Sequence, residues 1–257
     1  MEINEEQILR LFSLKEKVAI ITGGSGMLGQ KYTEILEAAG ADVIWFDIKG
    51  HGDANVDITN KKQVARAVQT VIKNFGQIDI LVNNAAMTDF SGFKDSNRFV
   101  PYENFSLEIW EKEIGVGLTG ALICSQAVIP HMKKAESGVI VNISSTHGIV
   151  APDNRIYGEG KFKAITYPVI KSGIIGLTKA LASYLAPYGI RVNTLVPGGV
   201  QANYLDKEFE KKYSFQTMMN RMAKPDDYNG AMLFLCSDAS AYMTGASLIV
   251  DGGLTAW

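Results

Sequence analysis

The sequence predicts one α/β domain, a doubly wound parallel sheet of about seven strands with helices on both faces. Three observations carry this. Short runs rich in Val and Ile recur along the chain, apolar at consecutive positions, as strands buried on both faces read. Stretches long enough for a crossover helix separate most of them. A glycine-rich turn joins the first run to the first helical pattern. At 257 residues, without repeat or linker, the chain reads as a single domain over 1–257.

The elements follow in order. Residues 1–14 form an N-terminal extension, and "MEINEEQILR" is acidic, without the basic start and apolar stretch of a signal peptide. "KVAIITGG" (17–24) is the first strand. A helix over 28–39 places Leu28, Tyr32, Ile35, Leu36 and Ala39 on one face, and Gly40 stops it. "ADVIWFD" (41–47) is the second long run. A helix over 60–75, capped by Asn60, turns Val64, Ala67, Val68, Val71 and Ile72 inward. Further strands are "IDILVNN" (78–84), "GVIVNISS" (138–145), "GIRVNTLVPG" (189–198) and "SLIVDGG" (247–253), and a helix covers 110–126. Right-handed crossovers put ligands at the carboxyl ends of these strands.

Composition narrows the function. Apolar residues make up 47% and charged residues 20%, ordinary for a soluble globular domain with a sizeable core. The net charge of −2 and the lack of a basic stripe give no pull toward nucleic acid or an anionic membrane. No run of about 18 apolar residues suggests a span. Cys124 and Cys236 lack metal or redox spacing, so buried thiols, no metal and a cytoplasmic location are expected.

"ITGGSGMLG" ends the first strand and opens the first helix. Glycines let backbone approach a pyrophosphate, and the helix start offers free N–H groups and a positive dipole end. Gly23, Ser25, Gly26, Met27, Leu28 and Gly29 are the candidate contacts. Asp47 ends the second run, 18 residues after Gly29, where a carboxylate can accept hydrogen bonds from a ribose. It would repel the extra phosphate of NADP, and the loop has no Arg or Lys to hold one. Both points favour NAD over NADP; Lys49, two residues on, is the opposing charge.

Together with these features, "VD" (56–57), "LVNNAA" (81–86), "NISS" (142–145), "YPVIK" (167–171), "GIRVN" (189–193), "PGGV" (197–200) and "TGASLIVDGG" (244–253) occur in an order that resembles the short-chain dehydrogenase/reductase family. The resemblance covers nearly the whole chain. It implies a single Rossmann domain, a nicotinamide cofactor, alcohol–ketone interconversion on a small molecule, and a homotetramer or homodimer whose last strand lies near a subunit interface. It also implies that Asp57 and Ile58 meet the adenine, that Asn84, Ala85 and Ala86 line the middle of the cofactor, and that Pro197, Gly198, Gly199 and Val200 lie near the nicotinamide.

The catalytic pattern Tyr-x-x-x-Lys occurs twice, as "YGEGK" (157–161) and "YPVIK" (167–171). Family members often place the catalytic Ser 13 residues before the Tyr, which fits Ser144 and Tyr157. The helix argues otherwise. Tyr and Lys share a face at this spacing only on a helix, and two glycines cost "YGEGK" roughly 2 kcal/mol of propensity against Ala. "YPVIKSGIIGLTKALASYL" keeps its apolar residues at helical intervals, with Pro168 in the first turn. Tyr167 and Lys171 are therefore the expected pair, the Lys lowering the phenol's pKa and, by the resemblance, also holding the nicotinamide ribose. The family pattern points to Ser145 as the hydroxyl on the substrate oxygen, with Ser144 the alternative.

Three features depart from the family. The glycine loop reads TGxxGxxG, a spacing commoner in the sugar-nucleotide-modifying branch. Gly117 stands where the family carries an Asn that holds a water in the proton relay. That leaves a relay supplied by another group, a distorted helix whose carbonyls bind the water, or a weakened site. Finally, 87–109 and 146–166 read as substrate-side insertions. They carry Lys94, Arg98, Arg155, Lys161 and Lys163 alongside Phe and Tyr, which points to a polar, anionic or sugar-like substrate held by these loops, with Arg98, Arg155, Tyr157 and Lys161 the candidate contacts. The segment "APDNRIYGEGKFKAITY" resembles oxidoreductases of flagellin-modification and nonulosonic-sugar pathways, which implies a polar, sugar-derived substrate and a role in carbohydrate biosynthesis. The competing readings are an NADP-dependent reductase of another small carbonyl compound and an NAD-binding protein with little catalysis.

Overall fold

The computed structural model describes residues 4–49, 54–87 and 98–257. Seven parallel strands form one sheet in the order β3-β2-β1-β4-β5-β6-β7. They are β1 (Val18–Thr22), β2 (Asp42–Asp47), β3 (Ala54–Asn55), β4 (Ile80–Asn83), β5 (Gly138–Ile143), β6 (Ile190–Pro197) and β7 (Ser247–Val250). Six match the apolar runs. The seventh, β3, is a two-residue edge pairing on β2, too short for a hydrophobic pattern. Strand order reverses beside β1, between β1 and β4, and the crevice opens there.

The helices are α1 (Glu5–Phe12), α2 (Met27–Ala38), α3 (Lys61–Phe75), α4 (Leu107–Ile114), α5 (Gly120–Ala135), α6 (Thr166–Leu185), α7 (Lys207–Phe215) and α8 (Asn229–Cys236). One face of the sheet carries α3, α5 and α6, where Ile20, Phe46 and Ile140 pack with Val64, Val128 and Leu181. The other carries α2 and α8, where Ile21, Val82 and Val141 pack with Tyr32, Leu36 and Met232. Burying both faces explains the continuous apolar runs of the central strands. Asn60 caps α3 by accepting from Lys62 and Gln63 N–H, as the sequence predicts. Cys124 and Cys236 are free and buried, and burial pushes each thiol up to about 12.

The segments Leu107–Ala135 and Thr166–Tyr188 are helices long and apolar enough by length and composition to cross a bilayer, although neither holds an unbroken apolar run of that length. Their buried residues, including Val128, Met132, Leu181 and Leu185, pack on the sheet. Between α4 and α5, Gly115–Thr119 forms a π-turn, closed by Gly120 N–H on Gly115 O. The helix is thus distorted where the sequence carries Gly115 and Gly117.

Candidate active site

The carboxyl ends of the strands open into one cleft of about 1090 Å³. One end is built by the glycine loop. Gly23 has a φ of +66°, and a Cβ there would meet Ala85 Cα at 2.9 Å. A Cβ on Gly29 would lie 2.3 Å from Gly23 O, so Gly29 is buried beneath the loop and does not line the cleft. Its role is close packing of helix on loop, a correction to its reading as a contact. Gly23, Ser25, Gly26, Met27 and Leu28 do line the cleft, with the start of α2 opening into it. Asn84 closes the loop from β4, its Nδ2 donating to Thr22 O and Gly23 O, both at 3.1 Å.

Asp47 stands at the end of β2. Its Oδ2 accepts from Ser25 N–H at 3.1 Å and Ser25 Oγ–H at 2.7 Å, and its Oδ1 from Lys49 N–H at 2.9 Å. The carboxylate is therefore oriented beside the loop. Asp57, Ile58, Ala85 and Ala86 line the same trough. The anion-accepting loop, the oriented acid and an elongated cleft fit a dinucleotide.

The other end carries the chemistry. β5 stops at Ile143, leaving Ser144 and Ser145 just past the strand. Ser144 Oγ donates to Lys171 O at 2.7 Å, so its hydroxyl is spent on α6. Ser145 Oγ is not tied to α6: it accepts from His147 N–H at 3.4 Å and lies near enough to the Tyr167 hydroxyl to favour its ionised form, which favours Ser145 over Ser144. Tyr167 and Lys171 lie in the first turns of α6, and Lys171 Nζ donates to Ile143 O at 2.8 Å. Burial and the charge of Lys163 lower the Lys171 ammonium to about 8. The Tyr167 phenol runs against the sequence expectation. Burial raises its pKa, opposed by the nearby Ser145 hydroxyl, while Lys171 Nζ stands 5.8 Å from the ring centroid. Desolvation outweighs the neighbouring charge, so Tyr167 rests as the phenol.

"YGEGK" has no such geometry. Gly158 and Gly160 have φ of +92° and +68°, so the segment turns and the Tyr157–Lys161 spacing lies on no helix. Of the expected substrate contacts, Tyr157 lines the cleft, packed on Phe209 at 5.5 Å and Phe99 at 6.1 Å between centroids. The other three do not line it. Lys161 is exposed. Arg155 is exposed and pairs with Asp153 at 2.8 Å. Arg98 is buried; its Nε donates to Glu113 at 2.6 Å, and its guanidinium also reaches Met87 O at 2.9 Å. Thr166 Oγ–H donates to the other oxygen of Glu113, tying this pair to the first residue of α6. Lys94 lies outside the described residues.

Pro197, Gly198, Gly199 and Val200 line the cleft opposite Ser145. Tyr213 of α7 braces them, its hydroxyl accepting from Gly199 N–H at 2.6 Å, and Tyr228 donates to Gly198 O at 3.0 Å. Sequence reasoning did not place His147, Lys163, Tyr204, Phe209 or Tyr213 in the site. They come from turns and a short helix without periodic signal; the basic, aromatic character of 146–166 pointed to the segment that holds His147 and Lys163, and nothing in the sequence pointed to Tyr204, Phe209 or Tyr213.

A family model described as enoyl-(acyl carrier protein) reductase, of the short-chain alcohol dehydrogenase type, matches residues 25–255. The chain belongs to the short-chain dehydrogenase/reductase family. It is an NAD(P)-dependent oxidoreductase of that family. The 3-alpha-(or 20-beta)-hydroxysteroid dehydrogenase of Mycobacterium tuberculosis is 33% identical over 253 residues, 93% of this chain and 90% of that protein. A short-chain dehydrogenase of Leptospira borgpetersenii, solved with bound NAD+, is 32% identical with a TM-score of 0.86, covering 99% of this chain and 97% of that one. A gluconate 5-dehydrogenase of Burkholderia cenocepacia, solved with NADP and tartrate, is 28% identical with a TM-score of 0.82, covering 97% and 99%. These dehydrogenase/reductases share one fold and differ in the named cofactor, so the choice between NAD and NADP rests on this enzyme's own residues.

Proposed function

We propose that this dehydrogenase/reductase uses NAD to interconvert a secondary alcohol and a ketone on a polar, sugar-derived small molecule. The observation that carries the reading is the Ser145–Tyr167–Lys171 group at one end of a cleft whose other end is the glycine loop and Asp47. A bound nicotinamide supplies the hydride acceptor or donor. The chain's own residues handle the proton. Ser145 hydrogen-bonds the substrate oxygen, and Tyr167 donates its proton to a ketone or takes one from an alcohol. Lys171 stabilises the phenolate during the transfer and is the residue to hold the nicotinamide ribose. The glycine loop and α2 start hold the pyrophosphate, and Asp47 the adenosine ribose.

Asp47 supports NAD, because its fixed charge lies where a 2′-phosphate would have to enter. The tyrosines, His147 and Lys163 lining the substrate end support a polar substrate. The gluconate 5-dehydrogenase with tartrate is a relative whose named substrate has that character. Exposed Leu107, Val169, Tyr184 and Ile249 support assembly as a dimer or tetramer.

Calorimetry with NAD and NADP tests the cofactor assignment. NAD binds more tightly to wild type, and Asp47→Asn narrows the difference by about tenfold, the worth of one charge-assisted contact. Equal affinities in wild type refute it. Turnover of sugar alcohols followed through NADH, with Tyr167→Phe as the inactive reference, tests the reaction; a wild type as inert as that variant refutes it.

A further inference from the structure

One cation in the cleft is spent on nothing the structure describes. Lys163 lies in the last stretch of the 146–166 segment, where its backbone N–H is fixed on Asn154 Oδ1 at 2.9 Å. Its Nζ stands 4.1 Å from the Tyr167 ring centroid and 5.8 Å from that of Tyr157. Among the described residues it forms no hydrogen bond or ion pair. The acid it senses, Glu113, has both oxygens engaged, one by Arg98 and the other by Thr166. Lys171, the other cation at this end, donates to Ile143 O. Asp47 and Asp57 belong to the cofactor end, and Glu111 and Lys112, which also line the cleft, are not among the charges that act on Lys163, whereas Glu113 and Arg98 are. The Lys163 charge is thus an unneutralised positive centre beside the catalytic phenol.

Its surroundings are those of a receptor for an anion. His147 lies edge-on to Tyr167, with ring centroids 6.2 Å apart, and its Nδ1 is buried without a hydrogen-bond partner. Burial and the charge of Lys163 lower His147 to about 4, so it presents a neutral ring. The tyrosine faces hold the ammonium in place without neutralising it. A half-buried ammonium with no anion is costly, and an oxyanion on the substrate removes that cost.

We infer that Lys163 is the anchor of an oxyanion subsite, and that the substrate carries a carboxylate or phosphate close to the carbon on which Ser145 and Tyr167 act. This rests on the dehydrogenase reading for the position of that carbon, but the subsite is a property of the cleft alone. It is a specificity determinant for the reaction and takes no part in moving the proton.

Binding and turnover together test it. Calorimetry on NAD-saturated enzyme uses three probes: D-gluconate for a carboxylate, D-glucose 6-phosphate for a phosphate and D-glucitol as the neutral polyol. At least one oxyanion probe binds wild type more tightly than glucitol, and the stronger of the two names the source. Lys163→Met lowers the affinity ratio of that probe over glucitol by about tenfold to a hundredfold, as for a lost charge-assisted hydrogen bond. Lys163→Arg retains most of the ratio. Unchanged NAD affinity in both variants shows that the fold is intact. Glucitol binding at least as tightly as both oxyanion probes in wild type, or a ratio unmoved by Lys163→Met, overturns the proposal. A preserved oxyanion preference without NADH formation from any alcohol supports the subsite and refutes the dehydrogenase reading instead.

Discussion

Gly117→Asn places on this helix the residue type that most of the family carries, and the structure says it does harm. Gly117 is buried in the π-turn, and a Cβ there would lie 2.7 Å from Ile170 Cγ2 and 3.2 Å from Ile170 Cδ1. Ile170 is itself buried and immediately precedes Lys171, so it yields only by moving α6. Overpacking of this kind costs about 1–3 kcal/mol. The helix-propensity gain from replacing Gly is below about 0.5 kcal/mol, so packing wins. At about 2–4 °C per kcal/mol for a domain near this size, the net cost lowers the melting temperature by about 1–10 °C. Turnover falls too, because Lys171 moves with Ile170. The cleft is lined here by Glu111, Lys112, Gly115 and Val116, while a Cβ on Gly117 points at Ile170, so the new amide is directed at α6. Differential scanning fluorimetry and steady-state NADH kinetics on wild type, Gly117→Asn and Gly117→Asn/Ile170→Ala check this. The double variant recovers part of the loss if the contact is the cause. An unchanged melting temperature with a raised kcat would mean that position 117 faces the proton path, and the argument fails.

Two further outcomes follow from buried charge. Arg98→Ala leaves Glu113 without its partner beneath the start of α6 and costs about 3–5 kcal/mol, read by chemical denaturation; a loss below about 1 kcal/mol would mean that the pair is solvated. His147, lowered from its ordinary 6.5 to about 4, makes the unfolded chain bind the extra proton as pH falls through that window. Its contribution is intact above about 6.5 and lost progressively toward 4, up to about 3 kcal/mol in all. The stability difference between wild type and His147→Gln shifts by that amount over the window, and a constant difference defeats the assignment.

What was legible in the chain followed from local pattern. Strands buried on both faces announce themselves as Val/Ile runs, and the glycine loop, Asp47 and the Tyr167–Lys171 pair sit at fixed distances from those runs. The choice between the two Tyr-x-x-x-Lys copies was legible because Gly158 and Gly160 break a helix wherever they stand. Arg98 and Lys163 were not separable by sequence, since both are basic residues in irregular segments. Only the fold reveals that Glu113 takes the first and that Tyr167 lies beneath the second. The reason for Gly117 was equally hidden, because Ile170 is 53 positions away and meets it only when α6 packs against the π-turn.

Tyr157 belongs to a small cluster with Ile156, Tyr213 and Met222, which shares no buried residue with the cores on either sheet face. Breaking it exposes four buried side chains and leaves the sheet packed. Hydrogen exchange at this end of the molecule is then set by a sub-global opening far cheaper than unfolding, while the amides of β1, β4 and β5 report global stability. The wall around Tyr157 thus rests on a core of its own, separate from the one beneath the glycine loop.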